Sequence, residues 1–352
     1  MSTDADAPES APGFWERFLD NSWLERRSED VLEADLPIVD PHHHIWERPM
    51  PDYPVAALLS DLHAGHRVVA TVYLEAHAHY RTDGPEQLRP VGETEYVASL
   101  AGQLALTPGA PAVAAGMVGH AGLAEGAAVQ EVLEAHIEAG GERFKGVRAY
   151  VFWDEALKLG FQGPPRGLAR DPTFREGFAR LAPLGLVCDV MAYHTNLAEV
   201  TELAREYPNT RIIVNHLGAP LGRGPYAQRQ AEVFETWRTA IQQLARLPNV
   251  YMKIGGLCGP FFGVLIPRKF REKPLPPSSE ELASAYRPWF DVTLDAFGSQ
   301  RCMFESNFPA DKYDCSYLVL WNAFKRLAAG SSKAEKNALF SGTATQVYSL
   351  KY

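Results

Sequence analysis

Eight short apolar runs, most of them followed by a segment of helical period, leave this chain few ways to fold. In order they are LPIVDPHHHIW (36–46), RVVATVYLEA (67–76), PAVAAGMVGH (111–120) and RFKGVRAYVF (143–152), then GLVCDVMAYH (185–194), TRIIVNHLG (210–218), NVYMKIGGL (249–257) and RCMFESNFP (301–309). Several are rich in Val, Ile and Tyr, and most have the length of buried parallel strands. The third and eighth are weaker strand formers, placed mainly by their position in the rhythm. Helical patterns lie between the runs: AEGAAVQEVLEAHIEAG, NLAEVTELAREYP and AEVFETWRTAIQQLARLP. In the second, Asn196 is placed to cap the helix and Pro208 to stop it. Eight β-then-α units without a break in composition predict an α/β fold, a single (β/α)8 TIM barrel over residues 36–352. An N-terminal extension, 1–35, precedes it, and its first dozen polar residues are expected to be disordered. A doubly wound open sheet is the alternative, but the first strand lacks the GxGxxG turn that usually supports it. Two long connections, 151–172 and 258–281, leave strands four and seven, where a barrel keeps its binding surface.

Charge and cysteine usage exclude several function classes. The 34 Lys and Arg against 43 Asp and Glu give a net charge of -9. Without a basic run, that balance argues against nucleic acid or an anionic membrane surface as partner. A small anionic substrate held by one or two buried arginines remains compatible with it. No apolar run reaches the ~18 residues of a membrane helix. The acidic N-terminus has no apolar signal core, and the four cysteines are dispersed without CxxC spacing. The expectation is a cytoplasmic enzyme with reduced thiols. A homodimer is common among such barrels, though no residue pattern here demonstrates one.

Polar groups recur at the strand ends. Strand one ends in His42 and His44, strand two in Glu75 and strand three in His120. Strand four carries Arg148, strand five ends in His194 and strand six in His216. Strand seven carries Lys253, and strand eight Glu305 and Asn307. Any one of these alone reads as a hydrogen-bonded structural residue. Repeated around the ring, where a packed barrel core requires branched apolar side chains, they read as an active site at the C-terminal mouth. Alternation along a strand puts His42 and His44 on one face, so both can grip one ion, and turns His43 outward. His77 and His79 repeat that spelling but fall in a loop, and His63 and His66 end the first helix.

The motifs IVDPHHHIW, KGVRAYVFWD, VNHLGAP, NVYMKIGGL and RCMFESNFPAD, in this order, resemble the amidohydrolase superfamily, specifically its amidohydrolase-2 group of lactonase-like TIM-barrel hydrolases. The likeness runs from about Leu36 to the C-terminus. It implies His42 and His44 as metal ligands, His216 near the same centre, and a strand-eight aspartate that handles the proton of attacking water. This chain departs from the last point: Glu305-Ser306-Asn307-Phe308-Pro309 stands where the commoner pattern reads G-S-D-W-P. Asn307 cannot ionise, but it can orient a water or donate to an oxyanion. Glu305, two residues earlier and on the same face, is either the replacement acid or base or the ion-pair partner of Lys253. Asp311 is a third candidate base.

The resulting expectation is a hydrolase that opens a small, carboxylated lactone by attack of water on a carbonyl polarised at the His42/His44 centre. His194, His216, Glu305 and Asn307 complete the catalytic set. Arg148 anchors a carboxylate, by resemblance as well as by its bidentate geometry, with Glu75, Tyr80, Arg81 and Lys253 as further substrate contacts. The cofactor is a divalent ion, Zn or Mn, on His42, His44 and His216, or else the histidines polarise the carbonyl without metal. Three rivals stay open: a decarboxylase or hydratase on the same fold, a hydrolase of a cyclic amide or ester, and a non-catalytic binding barrel. Phe152, Trp153, Phe261 and Phe262, in the two long loops, indicate a partly apolar pocket.

Overall fold

The computed structural model describes residues 21–46, 52–157, 163–258, 270–271 and 273–352. Its eight strands are β1 (Ile38–His43), β2 (Val68–Leu74), β3 (Ala112–Gly119), β4 (Phe144–Tyr150), β5 (Val187–Met191), β6 (Ile212–Val214), β7 (Val250–Ile254) and β8 (Cys302–Phe304). Each pairs in parallel with the next in sequence. The ring closes just beyond β8, where His43 bridges Phe308 and the Phe308 carbonyl accepts from the His44 N–H at 2.8 Å. The third and eighth runs are therefore strands, as their place in the rhythm predicts. β8 is short, so Glu305 and Asn307 lie on the segment that leaves it.

Helices between the strands cover the outer face. In the helix Gln230–Leu244, Val233, Trp237, Ile241 and Leu244 recur on one stripe and are all buried, the pattern of an amphipathic helix against a sheet. Trp237 packs edge-on against Trp289 at 4.5 Å; Trp289 belongs to the helix Ser279–Phe297, opened by a capping box between Ser278 and Glu281. Burying an indole removes ~200 Å² from water, a gross gain of ~5 kcal/mol. The expected cost of Trp237→Ala is accordingly about 3–5 kcal/mol.

Two local readings change. Asn196 occupies the N-cap position of the helix Leu197–Glu206, but its side chain makes no capping bond. It instead accepts from Trp153 N–H (2.9 Å) and donates to the Trp153 carbonyl (3.1 Å), tying the loop after β4 to that helix. β1 is also irregular: its register to β2 shifts between Asp40 and His43, around Pro41, which has no N–H for the ladder.

Residues 21–35 dock on the barrel. Glu29 accepts from Ser279 N–H and Asn322 Nδ2, and Trp23 Nε1 donates to the Lys273 carbonyl. The first dozen residues, like Phe261 and Phe262, lie outside the described residues. Among those described, no helix is long and apolar enough to cross a membrane.

Candidate active site

The C-terminal ends of the strands open into a cavity of about 800 Å³. His42 and His44, two residues apart on the first strand and its extension, face one another with their Nε2 atoms 3.3 Å apart. His44 Nδ1 donates to the Leu74 carbonyl at 2.9 Å. That bond fixes the proton on Nδ1 and leaves a lone pair on Nε2. Burial, then the charge of Arg148, hold the His44 pKa well below its ordinary value. The His42 pKa is driven down by burial and by Lys253. Both rings are therefore neutral nitrogen donors at neutral pH.

Glu305 lies beneath them, fully buried. Its Oε1 accepts from the His216 N–H at 3.0 Å and from His216 Nδ1 at 2.8 Å. Its Oε2 sits 2.6 Å from His42 Nδ1, but too obliquely for a hydrogen bond, and has no hydrogen-bond partner. His42 Nδ1 thus faces both this oxygen and the Lys253 ammonium, 3.4 Å away, and the tautomer of His42 sets whether its Nε2 donates to His44 or turns a lone pair to it. Together His42, His216 and Glu305 offer ligand atoms within 4.8 Å of one another. The ion pair between Glu305 and Lys253 is not formed. Lys253 instead binds Asp189 Oδ2 at 2.6 Å, and Asp189 also accepts from Asn215 Nδ2 and the Tyr348 hydroxyl, each at 2.7 Å. Lys253 thus belongs to the barrel floor, its Nζ 3.4 Å from His42 Nδ1, and does not line the cavity.

The segment after β7 makes room for this cluster. A Cβ on Gly256, which has φ +67°, would meet His216 Nδ1 at 2.0 Å, and one on Gly255 would meet the Glu305 carbonyl oxygen at 2.3 Å. The double glycine of NVYMKIGGL is thereby explained by close approach. Strained backbone also gathers at the mouth: His77, His79, His216, Leu217, Ala219 and Asn307 all have positive φ, a conformation that persists only where the surroundings enforce it. Asn307 lines the cavity, donates from its backbone to the His42 carbonyl (2.9 Å) and from Nδ2 to Asp311 Oδ1 (2.9 Å). Asp311 is buried behind Asn307, and burial lifts its pKa well above the carboxylate range.

The opposite flank, at the ends of β2 and β4, is an ion-pair network in which, of the two Glu75 oxygens, Oε2 alone lacks a hydrogen bond. Arg148 donates from Nε to Glu75 Oε1 (2.7 Å) and from Nη2 to the Glu75 carbonyl (2.8 Å). The Tyr150 hydroxyl donates to the same carboxylate oxygen. Burial raises the Glu75 pKa, but Arg148 and His77 outweigh it and hold the carboxyl below its usual range. Only Arg148 Nη1 is left toward the cluster, 3.5 Å from His42 Nε2. His77 stands 3.3 Å from Glu75 Oε2, and its ring packs 4.9 Å from that of His120.

Of the residues expected from sequence, His44, Glu75, Arg148, His216 and Asn307 line the cavity, with His42 and Glu305 fully buried directly behind them. Besides Lys253, three others do not line it. His194 accepts from Leu221 N–H through Nδ1 (3.3 Å), and burial lowers its pKa to about 4. Arg81 pairs with Glu95 near the surface, and the Tyr80 hydroxyl bonds His77 Nδ1 at 2.8 Å. His43 turns away from the cluster to Thr71 Oγ1 at 2.8 Å. Sequence reasoning misses Tyr150 and His77. Strand parity with Arg148 marks Tyr150, whereas nothing local marks His77, which a loop carries back over the mouth.

Comparison with known proteins covers nearly the whole chain. A family model described as amidohydrolase matches residues 39–350. The uncharacterized protein y4mH of Sinorhizobium fredii is 31% identical over 337 residues, spanning 90% of this chain and 99% of its own. An L-fucono-1,5-lactonase of Burkholderia multivorans is 28% identical over 325 residues, spanning 89% and 96%. Among solved structures, an amidohydrolase from Burkholderia multivorans with bound zinc superposes with a TM-score of 0.68 at 24% identity, covering 89% of this chain and 99% of that one.

Proposed function

The chain belongs to the amidohydrolase family, and from that premise we propose that it opens a small lactone by adding water to the ring carbonyl. The facing Nε2 atoms of His42 and His44 carry this reading. With the His42 proton held on Nδ1 by Glu305 Oε2, their lone pairs 3.3 Å apart repel unless a cation or an electrophile lies against them. Two nitrogens bound at about 2.0–2.1 Å to one tetrahedral ion stand roughly 3.3–3.4 Å apart. The buried, unpartnered Glu305 Oε2 is a second group suited to positive charge. The residues present therefore fit a divalent ion, which His42 and His44 would hold, with Glu305 Oε2 as the nearest further donor. Such an ion, when bound, supplies Lewis acidity to a carbonyl oxygen; imidazole donors suit zinc.

The chain's own groups handle the proton. Glu305 fixes the Nδ1 proton of His216, so the ring's other nitrogen is the basic one, the relation of a base to its orienting carboxylate. His216 takes a proton from water as the water oxygen bonds to the carbonyl carbon. The ring C–O bond then breaks, and the proton passes to the departing alkoxide, giving the hydroxy acid. Arg148 Nη1 is placed to donate to a substrate oxygen. With its other nitrogens on Glu75, it makes a one-point contact rather than the two-point carboxylate grip expected from sequence.

The test is product analysis on a lactone panel, by proton release and by NMR of the hydroxy acid, alongside elemental analysis of the purified protein. Ring opening that is lost in His216→Asn supports the reading. Carbon dioxide from an aromatic acid, with every lactone untouched, would replace it with a decarboxylase.

A further inference from the structure

The cavity has two unlike walls. One is the polar arc of His44, Glu75, Arg148, Tyr150, His216 and Asn307; the other is built from Leu123, Phe152, Pro164, Leu168, Phe174 and Met191. None of these last six side chains donates a hydrogen bond, and only the weakly accepting Met191 sulfur could receive one. They come from three separate places: Leu123 from the turn after β3, Phe152 and the 163–174 segment from the connection after β4, and Met191 from the end of β5. Phe174 is held by the helix Pro172–Phe178, whose N-cap Asp171 accepts from Thr173 and Phe174 N–H. Phe174 and Met191 are thus held by a helix and a strand, and Phe152, Pro164 and Leu168 by the connection after β4.

The volume matters as much as the lining. At about 800 Å³ the cavity lies toward the upper end of the roughly 300–1,000 Å³ range of sites for drug-sized ligands. A six-carbon sugar lactone would fill only part of it. His77, His120 and Tyr193 also line the cavity and can take some of the sugar's hydroxyls. Those laid on the six apolar side chains would lose their water without replacement, at a cost of about 1–3 kcal/mol for each unsatisfied group.

We infer that the lactone opened here carries an apolar substituent, an alkyl chain or aryl ring that lies against the Leu123–Phe152–Leu168–Phe174 wall while the ester faces His42 and His44. The inference rests on the lactone reading above and adds the substrate class to it. It separates this chain from a relative named for a sugar lactone, with which it shares 28% identity.

The experiment compares kcat/KM for δ-valerolactone, its 5-butyl and 5-hexyl derivatives, a phenyl-substituted δ-lactone, and L-fucono-1,5-lactone. The expected result is a rise of about threefold to fourfold per added methylene, with the sugar lactone below unsubstituted valerolactone. Leu168→Asn, a partly exposed position on the wall, should flatten that slope, lowering kcat/KM most for the longest chain. A flat alkyl series, or the sugar lactone as best substrate, would overturn the inference and leave the lactonase reading standing. Absence of turnover across all five lactones would overturn both. Should Leu168→Asn fail to fold, calorimetry of 5-hydroxydecanoate and 5-hydroxypentanoate binding to the unaltered protein decides the same question. A more negative heat-capacity change for the longer acid supports contact with the wall, and equal values refute it.

Discussion

The two flanks of the mouth use the same kinds of side chain and bury charge in different ways. On the β2/β4 flank, Glu75 Oε1 accepts from Arg148 Nε at 2.7 Å and from the Tyr150 hydroxyl, so the carboxylate has a full counter-charge. Its Oε2 has no hydrogen bond and stands 3.3 Å from His77. On the β1/β6/β8 flank, Glu305 likewise has one oxygen engaged twice, by His216, and the other without a hydrogen bond. Here, however, the basic groups within ion-pair distance among the described residues are the imidazoles of His42 and His216. The difference lies in the counter-charge: Glu75 has the permanent one of Arg148, whereas Glu305 has imidazoles, which carry charge only when protonated. Mutations should therefore divide between stability on one flank and turnover on the other.

The largest effect is expected at His42. His42→Ala should lower kcat/KM by ~10³-fold or more, as loss of a group acting on the developing oxyanion does, with little change in melting temperature. Glu305→Gln should follow with a fall of about 10–100-fold, the usual consequence of losing a group that orients a ligand or base, and mainly in kcat. If either loss tracked the melting temperature instead, the cluster would be structural and the contrast would collapse.

Stability should respond on the other flank. Arg148→Met leaves the Glu75 carboxylate buried without its counter-charge, a change that costs about 3–5 kcal/mol. Denaturant titration should show that loss, and Arg148→Met combined with Glu75→Leu should restore much of it. The pair also decides what Arg148 does for substrate. A KM rise confined to acidic lactones would reinstate the two-point carboxylate grip, and equal effects on acidic and neutral lactones would support the single Nη1 contact.

The barrel was legible because its signal repeats: eight apolar runs in a fixed rhythm tolerate weak members such as β3 and β8. Strand parity likewise placed His42 with His44, and Glu305 on the face of Asn307. Tertiary partners were not legible. Lys253 had two carboxylates within the barrel to choose from, and it takes Asp189 of β5, 64 residues away in sequence, rather than Glu305. His77 escaped because its position depends on Glu93, whose Oε1 accepts from Ala76 and Ala78 N–H (2.7 and 3.2 Å) and folds that loop inward. Asn196 looked like a cap because cap preference is local, whereas the competing Trp153 backbone lies 43 residues away.

Room for the cluster can be tested from the backbone side. Gly256→Ala puts a methyl where His216 Nδ1 stands, at 2.0 Å, in a conformation that non-glycine residues adopt reluctantly. His216 must move off Glu305, so kcat should fall roughly tenfold or more with KM for the lactone nearly unchanged. A matched fall in activity after Gly255→Ala, which presses on Glu305 itself, would locate the effect in their shared hydrogen bond.

The smallest effect sharpens the contrast through pH. Burial, and then repulsion from Glu75, raise the Glu93 pKa to about 8, against an ordinary value of 4.5. Between those values the folded chain binds a proton that the unfolded chain has released, so this group's contribution to stability is complete below about pH 4.5 and is lost as pH rises through 8. Glu93→Gln keeps a carbonyl oxygen for Ala76, Ala78 and the Tyr73 hydroxyl but cannot ionise. The variant should match the parent near pH 5 and exceed it in melting temperature near pH 9, by a few degrees or ~1–2 kcal/mol. The gain arises because the β2/β4 flank then contains one carboxylate for its one arginine. A pH-independent difference would mean that Glu93 is ionised throughout, and that Arg148 serves two carboxylates rather than Glu75 alone.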